Sequence, residues 1–103
     1  MENEIFRALA DPTRRAIFEK LAARSMNATD LRDGLTISQP AVSQHLAVLR
    51  NAGLVRESRA GRFIDYAVDP QGIAALGRWL SKYRAFWPER IEDLRTLLGE
   101  MDQ

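Results

Sequence analysis

Gln39, Ser43 and Gln44 lie in the stretch QPAVSQHLAVLRNAG. A glutamine amide can bond bidentately to an adenine edge, and a serine hydroxyl can bond several base edges. A small side chain such as Ala47 can touch a thymine methyl. On a helix at 100° per residue, Val42, Leu46, Leu49 and Gly53 fall within about 60° of one another and form a buried stripe. Pro40, Ser43, Gln44, Ala47 and Asn51 point away from it, with Gln39 flanking them. Such a face lacks the charges of an ordinary solvated surface. The plain alternative is a polar surface helix that contacts nothing.

The residues that follow, VRESRAGRF, add Arg56, Arg59 and Arg62 to a strand pair and its tip, with Glu57 as the one nearby acid. A basic tip can enter a minor groove, where negative potential attracts arginine. Arginines also guard exposed edge strands against aggregation, which is the competing explanation. Arg50, near the end of the preceding helix, completes the basic set.

Catalytic chemistry finds little support. There is no cysteine in the 103 residues, which removes disulfides, thiolate metal sites and thiol nucleophiles together. No Gly-rich phosphate loop or plausible His–carboxylate pair occurs. Ser43 and His45 are two positions apart on one helix and so about 200° apart around it, which defeats proton transfer between them.

Several elements must position these residues. Positions 2–10 predict a short helix with Ile5, Phe6 and Leu9 at helical spacing. Asp11-Pro12 is a start signal, an N-cap carboxylate followed by proline at the first helical position, for a helix running to about Ala23. Asn27 can cap a brief third helix from Ala28 to about Gly34. Leu35-Thr36-Ile37 then connects tightly to the fourth helix, which starts near Ser38 or Gln39 and runs to Ala52, where Gly53 stops it. A short helix, a tight turn and a polar-faced helix predict a helix-turn-helix over 28–52. Residues 54–59 and 62–68 read as two strands joined at Ala60-Gly61, with Ile64, Tyr66 and Val68 alternating against Phe63, Asp65 and Ala67. Asp69-Pro70 repeats the start signal. From there Ile73, Leu76, Leu80, Tyr83, Trp87, Ile91, Leu94, Leu98 and Met101 form one long stripe, with a kink or a second helix expected at Pro88.

With these residues in view, the chain resembles a winged helix-turn-helix regulator of the ArsR type. The resemblance rests on ALADPTRRAIFEKLA, DLRDGLTISQPAVSQHLAVLRNAGLV and RESRAGRFIDYAV, covers roughly residues 5 to 68, and is sharpest at SQHLAVLRNAGLV. It implies a mostly α fold with a small β-hairpin wing at 54–68, in the order α-α-α-α-β-β-α(-α). It further implies a homodimer that binds operator DNA and usually represses. Base contacts would fall to Gln39, Ser43 and Gln44, and a minor-groove contact to Arg62. His45 occupies a position that touches phosphate or packs at the helix edge. Arg14 and Arg15 match a pair read here as structural. Many members sense metals through a Cys-x-Cys before Asp-Leu. Aligned on Asp30-Leu31, those positions are Asn27 and Thr29, which cannot supply a thiolate, and the single histidine is His45 on the DNA-reading helix. No metal and no cofactor is therefore expected.

Composition agrees with a single domain over 1–103. At 46% hydrophobic and 28% charged, the chain is globular rather than disordered. Its net charge of +1 is unevenly spread. Residues 1–10 carry −1, residues 11–62 carry nine Lys/Arg against five Asp/Glu, and residues 63–103 carry −2. The basic middle suits a polyanion such as double-stranded DNA. No apolar run approaches the roughly 18 residues of a membrane span, and the N-terminus lacks a signal-peptide pattern; a cytoplasmic protein is expected. The terminal stripe exceeds what a domain of this size can cover alone. This predicts an isologous homodimer through 1–10 and 70–103. The aromatics Trp79, Tyr83, Phe86 and Trp87 could instead line a small-molecule effector pocket. A further alternative is a winged helix used for protein contact without DNA; it requires large exposed apolar residues on the fourth helix, where only Val48 comes close.

Overall fold

The computed structural model describes residues 2–88, folded as α1 (Glu2–Ala10), α2 (Pro12–Ala23), β1 (Met26–Asn27), α3 (Ala28–Arg32), α4 (Gln39–Asn51), β2 (Val55–Ala60), β3 (Phe63–Val68) and α5 (Pro70–Ser81), followed by a 3-10 turn at Arg84–Phe86. The expected order of helices and hairpin is observed. One element was not anticipated: Met26–Asn27 joins the hairpin as a third strand, giving the antiparallel order β1-β3-β2. Two residues carry no readable alternation, so only the pairing of Met26 with Tyr66 and Asn27 with Asp65 reveals this strand.

Local sequence sets the helix ends. Asp11, Asn27, Ser38 and Asp69 each occupy an N-cap in extended conformation and accept a hydrogen bond from a backbone N–H of the first turn. Pro12 and Pro70 follow directly, where a missing N–H costs nothing. Gly53 ends α4 at φ +80°. The Gly53 N–H donates to Arg50 O and the Leu54 N–H to Leu49 O, both at 3.0 Å, so two orphan carbonyls are satisfied in a Schellman turn. Helix α3 ends at Arg32, earlier than the expected Gly34. The Leu35 N–H closes the following turn on Arg32 O at 2.9 Å, and Lys20 Nζ donates to Leu31 O at 3.1 Å and to Asp33 O.

The core gathers Ile5, Ile17, Leu31, Val42, Leu46, Leu49, Leu54 and Val55, all essentially inaccessible. Val42, Leu46 and Leu49 are the stripe expected for α4. Two expectations for the terminal helices need correction. Ile5 is fully buried within its own chain, leaving Phe6 as the exposed residue of that set. In α5 the small residues Gly72 and Ala75 face the core, whereas Ile73 and Leu80 lie exposed. The helix also ends at Ser81, well before Pro88. Its continuation tightens into i→i+3 bonds, Lys82 N–H to Trp79 O and Tyr83 N–H to Leu80 O. Ile91, Leu94, Leu98 and Met101 lie outside the described residues.

Candidate nucleic-acid interface

The reading face of α4 is assembled as the helical wheel requires. Pro40, Ser43, Gln44 and Asn51 are exposed, while Gln39 and Ala47 are half-buried at the edges. The buried stripe on the opposite side fixes the roll of the helix against the core, because turning it would expose Val42, Leu46 and Leu49 to water. The preceding turn is held by Arg32, whose Nε donates to Ile37 O at 3.0 Å. Ser38 Oγ accepts from the Ala41 N–H at 3.3 Å and closes the N-terminus.

The three wing arginines are all exposed, but the hairpin does not bring them onto one face. Arg56 pairs opposite Ala67 and Arg59 opposite Ile64. Their odd spacing on a strand sends them to opposite sides. Arg59 therefore shares the side of Ile64, Tyr66 and Val68, and Arg56 the side of Phe63 and Asp65. Arg62 stands in the turn itself beside Gly61, whose φ of +64° favours glycine. Phe63, next to Arg62, is 59% exposed and was not singled out from sequence. An aromatic following a Gly-Arg tip was the available signal.

Two expected site residues are held by partners within the chain. His45 Nδ1 lies 3.4 Å from Arg14 Nη1. A guanidinium has no acceptor, so the contact is a hydrogen bond only when the ring is neutral with its proton on Nε2. Arg14 in turn donates from Nε to Ala8 O at 2.7 Å and from Nη2 to Arg7 O at 3.3 Å, and Arg15 donates to Leu9 O at 2.6 Å. The pair thus satisfies the C-terminal carbonyls of α1, the structural role read from sequence. Nearby, Asp11 has its carboxyl pKa lowered. The Arg14 backbone N–H is the main cause, partial burial opposes it, and the charges of His45 in its protonated form and of Arg14 add to the lowering. The second held residue is Arg50, whose Nη1 lies 3.1 Å from Glu57 Oε2 on β2.

The positions aligned with metal-binding cysteines have other work. Asn27 caps α3, its Oδ1 accepting from the Asp30 N–H at 2.8 Å, and Thr29 is exposed. Among the described residues no group of three or more His, Cys, Asp or Glu is placed to hold a metal. Nor is any helix there long and apolar enough to cross a membrane.

A capped short helix, a tight turn, a polar-faced second helix and a basic hairpin define a winged helix-turn-helix DNA-binding domain. Residues 11–57 match the model of the bacterial regulatory protein arsR family. The chain is 43% identical over 93 residues to the HTH-type transcriptional regulator Rv2034 of Mycobacterium tuberculosis, covering 90% of this chain and 84% of that one. It is 33% identical over 81 residues to the transcriptional repressor SdpR of Bacillus subtilis, covering 79% and 90%. Among solved structures, an ArsR-like transcriptional regulator from Rhodococcus sp. RHA1 superposes with a TM-score of 0.73 at 29% identity, covering 92% of this chain and 90% of that one. The chain belongs to the ArsR family. It is a DNA-binding transcriptional regulator and not an enzyme.

Proposed function

We propose that the protein is a homodimeric repressor that binds an inverted-repeat operator. The observation that carries this reading is the exposed face of α4 that presents Ser43, Gln44 and Asn51, set by a buried stripe on its opposite side. Gln39, Ser43 and Gln44 read base edges in the major groove of one half-site. Arg59 and Arg62 reach the adjacent minor groove and Arg56 and His45 meet phosphate, so that phosphate contacts supply the salt-sensitive affinity. Twofold symmetry then sets the half-sites about 34 Å apart, or a multiple of that.

The dimer forms through the apolar surface of α1 and α5. Phe6 packs edge-on against Trp79 with ring centroids 4.9 Å apart, and Trp79 meets Tyr83 at 5.0 Å. Ile73 and Leu80 on α5, and Phe86 beyond it, also stand exposed. A second copy of this surface is a self-complementary cover for it. The same half-exposed ring cluster supports a second reading, in which a small organic effector binds beside Trp79. Tryptophan fluorescence against a metabolite panel tests that reading, and an unchanged spectrum throughout argues against it.

Selection of bound duplexes from a random pool, followed by sequencing, tests the main reading. Enrichment of an inverted repeat is the expected result. A single unrepeated site would remove the symmetric dimer on DNA, and failure to enrich any sequence would remove operator recognition.

A further inference from the structure

Glu57 is an odd residue for this surface. It puts a carboxylate beside the reading helix of a protein whose partner is a polyanion. Its repulsion of phosphate alone would make its removal tighten DNA binding. Yet among the described residues Glu57 makes the one ion pair, and its partner Arg50 stands on α4 within about 20° of Ser43 around the helix.

The wing needs such a tie. Its strand β2 is the sheet edge, and past the buried Val55 every residue of it is exposed. The outer part of β2 therefore buries no side chain against α4. Glu57 is two residues beyond that buried base and opposite Tyr66, which still packs against the core. From Glu57 to the tip at Gly61 the strand extends on the order of 13 Å at about 3.4 Å per residue. A small change of angle at Glu57 therefore becomes a larger displacement of Arg62 at the tip.

We propose that Glu57 is a positioning residue for DNA binding. Through Arg50 it sets the angle between wing and recognition helix, so that base readers and wing arginines meet neighbouring grooves together. Arg50 then acts as one half of a strut, not as a phosphate contact. The inference rests on the DNA-binding reading above. Both side chains are partly exposed, at 45% and 38%, and exposed pairs of this kind are worth roughly two- to fivefold in an equilibrium.

The test measures affinity for the selected operator against salt concentration, in wild type, Glu57→Gln, Arg50→Gln, the double Gln variant, and the exchange Arg50→Glu with Glu57→Arg. Wild-type binding that falls with salt secures the underlying reading first; its absence would remove that reading, and the strut with it. Given wild-type binding, Glu57→Gln should weaken affinity about two- to fivefold with an unchanged salt slope. Arg50→Gln should do the same, the double Gln variant should be no worse than either, and the exchange should restore most of the loss. Wild-type or tighter binding by Glu57→Gln overturns the proposal. So does a salt slope lowered by about 0.9 in Arg50→Gln, the signature of a lost phosphate contact. Melting curves screen each variant for folding. Glu57→Gln is isosteric on an exposed strand, so it decides the matter if the exchange variant does not fold.

Discussion

The carbonyl oxygen of Gly53 occupies the space where a side chain on residue 72 would begin. A Cβ on Gly72 would stand 2.4 Å from that oxygen and 2.9 Å from Leu54 Cδ2. Helix α5 thus rests its backbone on the Schellman turn that ends α4. Gly72→Ala should destabilise the fold by about 1–3 kcal/mol, because the obstructing atom is backbone and cannot swing aside. Gly77, on the same helix, has nothing within 4 Å of where its Cβ would be. Gly77→Ala should stabilise by about 0.5–1 kcal/mol through helix propensity. Urea unfolding of both variants checks this, and equal stability for the two would show that the close approach is not maintained.

Gln44→Ala should cost on the order of 1–3 kcal/mol at one base position and relax the preference there. Arg62→Ala should weaken binding evenly across sequences and flatten the salt slope by about one. Competition binding with operator variants separates the two patterns. Wild-type affinity in both variants would reject the assignment of these contacts.

Leu80 is 41% exposed on α5 and outside the core of its own chain. Leu80→Arg should therefore leave each subunit folded but place a charge within the proposed dimer surface. Sedimentation should show a shift toward monomer, accompanied by weaker operator binding. An unchanged dimer would move the interface elsewhere.

Acid should find part of its effect at Asp11. Its folded-state pKa lies below the ordinary carboxylate value, chiefly because the Arg14 N–H donates to the ionised form. A lowered pKa contributes stability above the ordinary value, and that contribution is lost as pH falls through the folded value. Asp11→Asn keeps a capping oxygen but does not titrate. Thermal melts across the acid range should thus show a shallower loss for Asp11→Asn than for wild type. Parallel curves would exclude Asp11 as a contributor.

Much of α4 was legible because its signals are local. The wheel separates Val42, Leu46 and Leu49 from Ser43 and Gln44 by spacing alone, and Asp11-Pro12, Asp69-Pro70 and Gly53 punctuate the helices by backbone chemistry. The stripe of α5 misled for the same reason. Periodicity marks Ile73 and Leu80 as one apolar face, but it cannot say whether a core or another surface will cover that face. Gly72 faces inward because no Cβ fits against the Gly53 turn.

The sequence by itself determined the helix-turn-helix, the hairpin, the polar exposed face of α4 and the absence of thiolate chemistry, since each follows from residue type and short-range spacing. Tertiary structure alone decided the rest. It put β1 against β3 and split Arg56 from Arg59 across the hairpin. It also set Arg14 against His45, 31 positions away, and Glu57 against Arg50. Those pairings depend on where separate elements come to rest, and it is packing of the shared core that brings them together.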